Sequence, residues 1–304
     1  MRLLVLAALA AFTGQLVPAP PAPPGPPPGP PSGPPSAGPY VHEIRSARSP
    51  DGLAWTHDGA VLLEHASVPS ALVMPDGRVL VYYVDAAQMP ETVNCAEATA
   101  DGRLRPLGCT IAGRGGAKAV DPSVVLLPDG RVRLYYYASA QNVNAAGRHP
   151  IHAAVSDDGV HFVDEGEVYS DEGLVDPDVF WTGRDWLMFV FSLTRPGTIV
   201  AKSDDGRRFS YLGMHQLQGW GTTAPVRLED GRFRLYAFNQ GLQDTVRSFV
   251  SINALDWTME DGIRLSAPPG LEITDPFVIR TRDGWWHMVY KVSPRPLSRR
   301  ARVP

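Results

Sequence analysis

The sequence contains few lysines and no excess of positive charge. Lysine supplies only three of the 28 basic residues, and 32 acidic residues leave a formal net charge of −4. A surface that binds a phosphate backbone needs a basic stripe or patch, so nucleic acid is not an expected partner. The unbroken apolar run at residues 3–12 is too short to cross a bilayer, so no transmembrane span is predicted.

Several catalytic motifs are also missing. The sequence has no Gly-x-Ser-x-Gly elbow, no His-Glu-x-x-His pair for zinc, and no Gly-Lys-Ser/Thr after Gly115 and Gly116 to hold a phosphate. These absences argue against a serine hydrolase, a zinc protease and a nucleotide-dependent enzyme. The only two cysteines have no nearby histidine pair, so a thiolate metal site is not expected either.

The first 39 residues predict export. Residues 1–16 begin with Met1 and Arg2, continue into the apolar run, and have the composition of a signal peptide. Residues 17–39 are almost only proline, glycine, alanine and serine, which predicts a semi-stiff, extended spacer. A proline-rich ligand for a partner domain is the alternative. We predict a secreted or periplasmic protein, tethered near the cell surface through this linker.

One hairpin pattern recurs five times in the rest of the chain. In its clearest copy, residues 120–139, a short apolar run is followed by Pro128-Asp129-Gly130 and by a second run rich in strand-forming residues. The copies are marked by prolines at positions 69, 122, 177, 225 and 276, which are 53, 55, 48 and 51 residues apart. Repeats of about 40 to 50 residues built from short strands are typical of propeller blades.

A second repeated turn lies between these hairpins. It reads Ser-x-Asp-Gly, with an aromatic residue two or three positions later, as in the stretch from Ser156 to Phe162. Asp-Gly reverses the chain between two strands, and the aromatic ring is expected to pack between blades. Together the patterns predict an all-β, five-bladed β-propeller of four-stranded blades over residues 40–292, followed by a flexible basic tail at residues 293–304.

The order of the two patterns predicts how the ring closes. The chain begins with an outer pair of strands, residues 42–63, and finishes with an inner pair, residues 275–291. The N-terminal strands are therefore expected to complete the last blade, which removes two open sheet edges. Cys95 and Cys109 fall on the third and fourth strands of the first blade, and we predict a disulfide between them.

Three aspartates are predicted to meet at one mouth of the central channel. The residue before each repeated proline begins an innermost strand, and in chain order these residues are Val68, Asp121, Asp176, Ala224 and Asp275. Neighbouring carboxylates cannot all ionise cheaply, so at least one pKa should rise unless a cation or a basic side chain offsets the repulsion. The alternative is that Asp-Pro only marks the start of a strand, although two blades do without the aspartate.

Loops on the same face carry groups suited to sugar hydroxyls. The candidate substrate-binding residues are Arg114, Lys118, Trp220, Asp85 and Glu64. Carboxylates and cations can form directional hydrogen bonds to a sugar, and Trp220 could stack against its face, with a packing role as the alternative. Lys118 and Arg114 could also lower the pKa of the nearby Asp121 or contact an anionic substituent.

The repeated hairpins and Ser-x-Asp-Gly turns resemble those of the five-bladed β-propeller glycoside hydrolases of the arabinanase, β-xylosidase and levansucrase/invertase group. The resemblance covers residues 40–292. It implies an aspartate that acts as base or nucleophile in the first blade, an aspartate that tunes and orients in the third, and a glutamate that acts as acid in the fourth. Asp176 matches the second role, whereas the first-blade position is Val68 and residues 221–225 contain no glutamate.

We therefore predict an exported, monomeric, carbohydrate-active protein, and specifically a glycoside hydrolase with redistributed carboxylates. Asp275 or Asp121 is the predicted base, and Asp176 orients the sugar. Glu272 is the preferred proton donor, ahead of other loop glutamates. No cofactor is required, although a central divalent cation such as calcium could sit among the aspartates. The competing hypothesis is a glycan-binding or scaffold propeller that has lost its acid and base.

Overall fold

Of the 304 residues, the computed structural model describes 38–116, 118–139, 147–195 and 197–296. The described residues form strands and a single turn of 3-10 helix, η1 (Gly38–Val41). Among them, no helix has the length and apolar character that crossing a membrane requires. The predicted signal peptide, nearly all of the predicted linker and most of the predicted basic tail lie outside the described residues and stay predictions.

The strands form five sheets, which are the blades of a propeller. The first two strands, β1 (Glu43–Ser49) and β2 (Thr56–Glu64), belong to the last blade. Blade 1 consists of β3 (Ala66–Val73), β4 (Val79–Asp85), β5 (Thr92–Ala98) and β6 (Leu104–Pro106). After the short strand β7 (Thr110–Ala112), blade 2 contains β8 (Lys118–Leu126), β9 (Val132–Ser139), β10 (Arg148–Ser156) and β11 (His161–Glu172).

The remaining blades follow the same antiparallel order. Blade 3 contains β12 (Leu174–Trp181), β13 (Trp186–Ser192), β14 (Gly197–Ser203) and β15 (Ser210–Met214). Blade 4 contains β16 (Trp220–Thr222), β17 (Val226–Arg227), β18 (Phe233–Asn239), β19 (Thr245–Ser251), β20 (Thr258–Met259) and β21 (Leu265–Ser266). Blade 5 adds β22 (Leu271–Arg280) and β23 (Trp286–Pro294). The innermost strands contact one another across blades, as β3 does with β8 and β22.

Two blades depart from the predicted plan of four strands. β7 pairs in parallel with β11, so blade 2 has a fifth strand. The chain that leaves blade 1 thereby covers an outer edge that would otherwise expose unpaired N–H and C=O groups. In blade 4, the innermost and outermost positions are each shared by two short strands, with β16 and β17 both pairing with β18.

The N-terminal strands close the ring as predicted. β1 pairs antiparallel with β23 over seven residues, from Glu43 opposite Val292 to Ser49 opposite Trp286. The last sheet therefore has the order β2-β1-β23-β22 and combines strands from both ends of the propeller domain. This confirms both the five-bladed fold and its closure.

The Ser-x-Asp-Gly turns also fasten neighbouring blades. In the first turn, Ser49 Oγ accepts a hydrogen bond from the Gly52 N–H at 2.9 Å, which closes the reversal. The Gly52 carbonyl then accepts one from the Tyr236 hydroxyl of the preceding blade at 2.8 Å. The same contact, at 2.7 Å in each case, joins two further pairs of blades through Tyr82–Gly159 and Tyr135–Gly206. The motif therefore sets both the chain reversal and the contact between blades.

The predicted disulfide is present, in a slightly different place. Cys95 lies on β5 and Cys109 lies between β6 and β7, with 5.4 Å between their Cα atoms. The prediction placed Cys109 on the fourth strand, but that strand ends at Pro106. The bond therefore ties the segment that leads to blade 2 back onto the third strand of blade 1.

Candidate functional site

The residue before the repeated proline has a left-handed backbone in four of the five blades. The φ angles are 46° at Val68, 56° at Asp121, 50° at Asp176 and 50° at Asp275. The strand register slips at the same four places, which marks a β-bulge in the innermost strands of blades 1, 2, 3 and 5. Such a backbone costs about 1–3 kcal/mol, and bulges commonly re-aim side chains next to active sites. Val68 has the same backbone conformation as the three aspartates. The bulge is therefore a feature of the blade architecture, and only the side chain at this position differs between blades.

A cavity of about 350 Å³ lies among these bulges. Its charged lining residues are Asp176, Asp178, Asp275 and Lys291, which come from blades 3 and 5. Hydroxyl, amide and aromatic side chains complete much of the wall, namely Thr198, Thr222, Thr223, Thr274, Gln240, Gln243, Phe191 and Phe238. A concave site with a few converging polar groups is the usual form of a small-ligand site.

The three predicted aspartates do converge, and an ammonium group joins them. Lys291 Nζ lies 2.6 Å from Asp275 Oδ2, and the two side chains are only 16% and 15% exposed. Asp121 Oδ2 accepts a hydrogen bond from the Asp176 backbone N–H at 3.4 Å. The site therefore draws together carboxyl groups from blades 2, 3 and 5.

Burial and mutual repulsion shift the pKa values of these groups. Burial raises the pKa of Asp121 to about 6, against the opposing effects of the Asp176 N–H and of Lys291. Burial, followed by the charges of Asp121 and Asp275, raises the pKa of Asp176 well above its usual range. Burial disfavours the charged form of Lys291, but the surrounding carboxylates outweigh it and raise its pKa. The predicted rise of at least one carboxyl pKa is confirmed.

Asp178 is a fourth carboxyl group of the site. It lies two residues after Asp176 on β12 and is 9% exposed. Burial first, and the Asp275 charge second, raise its pKa well above the usual range, while the Ala224 backbone N–H has the opposite effect. The cavity thus holds carboxyl groups whose pKa values are raised beside one that is paired with an ammonium, which is a division suited to acid and base roles.

The predicted substrate-binding cations lie outside this cavity. Lys118 Nζ is 3.0 Å from Glu91 Oε1, and Arg114 Nη1 donates a hydrogen bond to Thr92 Oγ1 at 3.1 Å. The strongest basic influence on the Asp121 pKa comes from Lys291 of blade 5, whereas the Glu91 charge raises that pKa. The proposed effect of Lys118 and Arg114 on the Asp121 pKa stays a prediction, and a basic side chain of another blade, Lys291, does lower that pKa.

The other predicted contact residues are also outside the described lining of the cavity. Trp220 packs edge-on against Phe249, with 5.4 Å between ring centroids, which is a packing contact. Asp85 accepts a hydrogen bond from Asn94 at 3.1 Å, and Glu64 is exposed at the end of β2. Their roles, like those of Arg114 and Lys118, stay predictions for a ligand that extends beyond the cavity.

Glu272, the preferred proton donor predicted from the sequence, is a buried residue of β22. It is 5% exposed on β22, opposite Ser293 of β23, and the described residues that line the cavity do not include it. Its assignment as proton donor stays a prediction. The side chains of Asp176, Asp178 and Asp275 face the cavity directly.

Sequence analysis missed Asp178 and Lys291 as site residues. One sequence feature could have indicated Lys291 as a site residue. It is one of only three lysines in the chain, and it interrupts the apolar strand Trp286–Pro294. Asp178 had a weaker signal, since it replaces Ser70 and Ser123 at the same place in the repeat. Only the assembled blades show that both residues line the same cavity.

No described group of three or more His, Cys, Asp or Glu side chains is arranged to hold a metal ion. The sequence analysis allowed for a central cation that would offset the repulsion between aspartates. In the structure Lys291 supplies a positive charge at that place. A calcium site among the aspartates stays a prediction.

No protein-family model matches the chain, and no curated protein matches it either. Solved structures do match. A protein of unknown function from Dyadobacter fermentans DSM 18053 superposes with a TM-score of 0.59 at 17% sequence identity, over 83% of this chain and 84% of that chain.

Two further matches are glycoside hydrolases. A family 117 glycoside hydrolase from Zobellia galactanivorans has a TM-score of 0.55 at 12% identity, over 88% of this chain and 99% of that chain. The GH43_1 enzyme from Xanthomonas citri, complexed with xylotriose, has a TM-score of 0.53 at 15% identity, over 77% and 89%. This chain has their propeller fold. At these identities the likeness concerns the fold, and the chemistry of the cavity has to be argued from its own residues.

Proposed function

We propose that the protein is an exported glycoside hydrolase that removes a terminal sugar from a glycan. One observation carries the proposal: a single cavity holds the Asp275–Lys291 ion pair together with carboxyl groups whose pKa values are raised. Hydrolysis of a glycosidic bond needs one carboxylate and one protonated carboxyl group on either side of the bond. The propeller fold shared with glycoside hydrolases supports the same reaction class.

Asp275 is the base or nucleophile in this proposal. Its pairing with Lys291 at 2.6 Å favours the ionised carboxylate, which is the form that accepts a proton or attacks an anomeric carbon. Asp121 is the alternative base, because its pKa of about 6 also permits ionisation at neutral pH. Asp176 lies on the β-bulge of blade 3. In this proposal it orients the sugar and influences the protonation of the neighbouring carboxyl groups.

The cavity wall favours a neutral sugar. Threonine hydroxyls and glutamine amides can both donate and accept hydrogen bonds, which matches the alternating groups of a sugar ring. A volume of about 350 Å³ lies at the small end of the range for ligand sites, so we expect it to enclose a single ring at the end of a chain. An anionic sugar would be disfavoured, since the one ammonium among the described residues of the wall is already paired with Asp275.

The test uses the purified full-length chain with chromogenic arabinoside, xyloside, fructoside and sialoside, together with release of reducing ends from glycans. We expect turnover of at least one neutral glycoside, and its loss in Asp176→Asn without loss of folding by circular dichroism. Turnover that survives the substitution would remove Asp176 from the mechanism. Absence of turnover combined with measurable glycan binding would instead support the binding-module hypothesis, which Val68 and Ala224 in two of the five blade positions favour.

Export is tested separately. We propose that residues 1–16 direct secretion and that residues 17–39 hold the domain near the cell surface. Expression of the full chain should place the protein outside the cytoplasm, with a new N-terminus near residue 16 by peptide mass analysis. An intact Met1 in cytoplasmic protein would contradict this.

A further inference from the structure

The residue after each repeated proline has a structural task in the first two blades. Ser70 Oγ and Ser123 Oγ each accept a hydrogen bond from the backbone of the next blade, at 3.1 and 2.9 Å. Asp178 occupies the same place in blade 3, and the Ala224 N–H of blade 4 stabilises its ionised form. Two blades have serine at this position, and blades 4 and 5 have Val226 and Phe277, so the architecture does not require a carboxyl group there.

Asp178 differs from the two serines in what its side chain faces. Ser70 and Ser123 are both fully buried at 0% exposure, whereas Asp178 lines the cavity with Asp176 and Asp275. A buried carboxyl group is costly unless it is protonated or paired. No salt bridge joins Asp178 to a described basic side chain, while the neighbouring Asp275 is paired with Lys291. The cavity therefore places a carboxyl group without a described ion-pair partner beside one that is paired with an ammonium.

We propose that Asp178 is the catalytic proton donor of the cavity. The inference rests on the proposed glycoside hydrolysis and assigns its acid to a residue that actually faces the cavity, in place of Glu272. Asp176 is less suited to the role, because the Lys291 charge opposes its protonated form. The raised pKa of Asp178 supports the assignment, since the donor must still be protonated near neutral pH.

The proposed step balances with water as the only co-substrate. The Asp178 proton passes to the glycosidic oxygen while the bond from that oxygen to the anomeric carbon breaks, and the electron pair stays on the departing oxygen. The aglycone leaves as an alcohol. Water supplies the new oxygen on the anomeric carbon, with Asp275 or Asp121 taking its proton, and exchange with solvent restores both carboxyl groups.

The test compares Asp178→Ser with the wild-type full chain on two glycosides of the same sugar. Serine keeps a hydroxyl where Ser70 and Ser123 serve blades 1 and 2, so the variant is expected to fold. With an alkyl aglycone, which needs protonation to leave, kcat/KM should fall by about 10²-fold or more. With a dinitrophenyl aglycone, which leaves unaided, the loss should stay below about tenfold. Asp178→Asn serves as a second variant.

Ser123→Ala provides the matched structural control. It removes the equivalent bond between blades 2 and 3 but no carboxyl group. Its urea midpoint of unfolding should fall, because a bond between blades is lost, while the ratio of the two kcat/KM values stays that of the wild type. If Asp178→Ser behaves like Ser123→Ala, with both glycosides affected equally, Asp178 is structural and the proposal is overturned.

The pH profile gives a second readout. Asp176 on β12, Asp275 on β22 and Lys291 on β23 also line the cavity, and the charge of Asp121 on β8 acts on Asp178, so the acid limb should persist in Asp178→Ser. The alkaline limb, which reports loss of the donor proton, should disappear. An unchanged alkaline limb would contradict the assignment.

Infrared difference spectra separate this inference from the proposed function. The wild type should show the carbonyl band of a protonated carboxyl group near neutral pH, and Asp178→Ser should lose part of that band. If the band is unchanged, the donor assignment fails whatever the substrate. If the band changes but the wild type hydrolyses no glycoside, then glycoside hydrolysis itself fails, and the donor role with it.

Discussion

Lys291 is the one ammonium among the described residues that line the cavity, and it faces three aspartates from different blades. Removing one partner of a buried ion pair leaves an uncompensated charge. This typically destabilises a protein more than replacing both partners by apolar residues does. Lys291 also lowers the pKa values of Asp121 and Asp176, against the larger effect of their burial. Because its pKa is raised above 10.5, it stays charged throughout the neutral range.

Lys291→Met is expected to destabilise the protein by about 3 kcal/mol at pH 7. The loss should shrink as pH falls toward 4, because protonation then removes the unpaired carboxylate charges. Urea unfolding at both pH values measures the change. Lys202→Met is the matched control, since Lys202 forms a more exposed pair with Asp185 at 3.1 Å. An equal and pH-independent loss in both variants would contradict the special role of Lys291.

The raised pKa of Asp121 predicts how the stability of the folded protein changes with pH. Burial raises its pKa from 3.8 to about 6, so the folded protein binds this proton more tightly than the unfolded chain does. Between pH 4 and 6 the folded state therefore loses stability as pH rises, by up to about 3 kcal/mol, and above pH 6 this loss is complete.

The variant Asp121→Asn should lack the loss of stability that ionisation of Asp121 causes. The unfolding free energy of the variant, relative to wild type, should rise by up to about 3 kcal/mol between pH 4 and pH 7. Denaturant titrations at several pH values test this. Asp129→Asn, at an exposed turn where Arg131 lowers the aspartate pKa, should show no such rise. A difference that does not vary with pH would mean that Asp121 ionises as freely as in the unfolded chain.

The turns between strands connect the blades because their glycines allow close approach. Gly52 has a φ of +74°, and a Cβ atom placed there would lie 2.8 Å from the Tyr236 hydroxyl. That hydroxyl donates the hydrogen bond that joins blade 4 to blade 5. At Gly102, by contrast, φ is +78° and no atom lies within 4 Å of the built Cβ. The two glycines have the same backbone strain but different surroundings.

Gly52→Ala should therefore cost clearly more stability than Gly102→Ala. The left-handed backbone alone accounts for about 1–2 kcal/mol in both variants. The clash and the weakened hydrogen bond should add about 1–3 kcal/mol at Gly52 alone. Thermal or urea unfolding of both variants measures the difference, and Tyr236→Phe should reduce the extra cost at Gly52. Equal losses at the two glycines would show that the contact between blades contributes nothing.

The propeller is closed by strands from opposite ends of the domain. β1 pairs with β23 over seven residues, and without β1 and β2 the strand β23 would become an open edge. An exposed edge strand invites aggregation, and the faces of blades 4 and 5 would lose their cover. Closure is therefore a property of the whole ring.

Removal of residues 1–64 should abolish cooperative unfolding and produce aggregated protein. Removal of residues 1–37 is the control, because it leaves every described strand in place and should preserve the melting temperature. Circular dichroism and size-exclusion chromatography distinguish the two outcomes. A soluble, cooperatively folded chain that starts at residue 65 would contradict the closing role of β1 and β2.

Blade number, closure and the disulfide could all be predicted from sequence. Each rests on local chemistry that recurs: Asp-Gly reversals, short β-branched runs and the order of the two hairpin types. The fifth strand of blade 2 could not be predicted, since β7 is only three residues long and pairs with β11 about fifty residues later. A strand that short has no pattern of its own.

The candidate site could be predicted only in part. Three of its aspartates follow from the repeat, because equivalent positions in a propeller must meet at the axis. Lys291 comes from a second strand, where the repeat makes no prediction about polar residues. Asp178 shares the serine position of other blades, so sequence shows the substitution but not the cavity that it faces.

The amino-acid sequence alone therefore determined the architecture, since strands, turns and their repetition are set by residues close together in the chain. The tertiary structure decided which groups share the cavity and which of them keep a proton. That division depends on burial and on charges brought together from blades 2, 3 and 5, as in the raised pKa values of Asp121, Asp176 and Asp178. Electrostatic interactions act across space, between residues as far apart in sequence as Asp121 and Lys291, and local sequence carries no record of those distances.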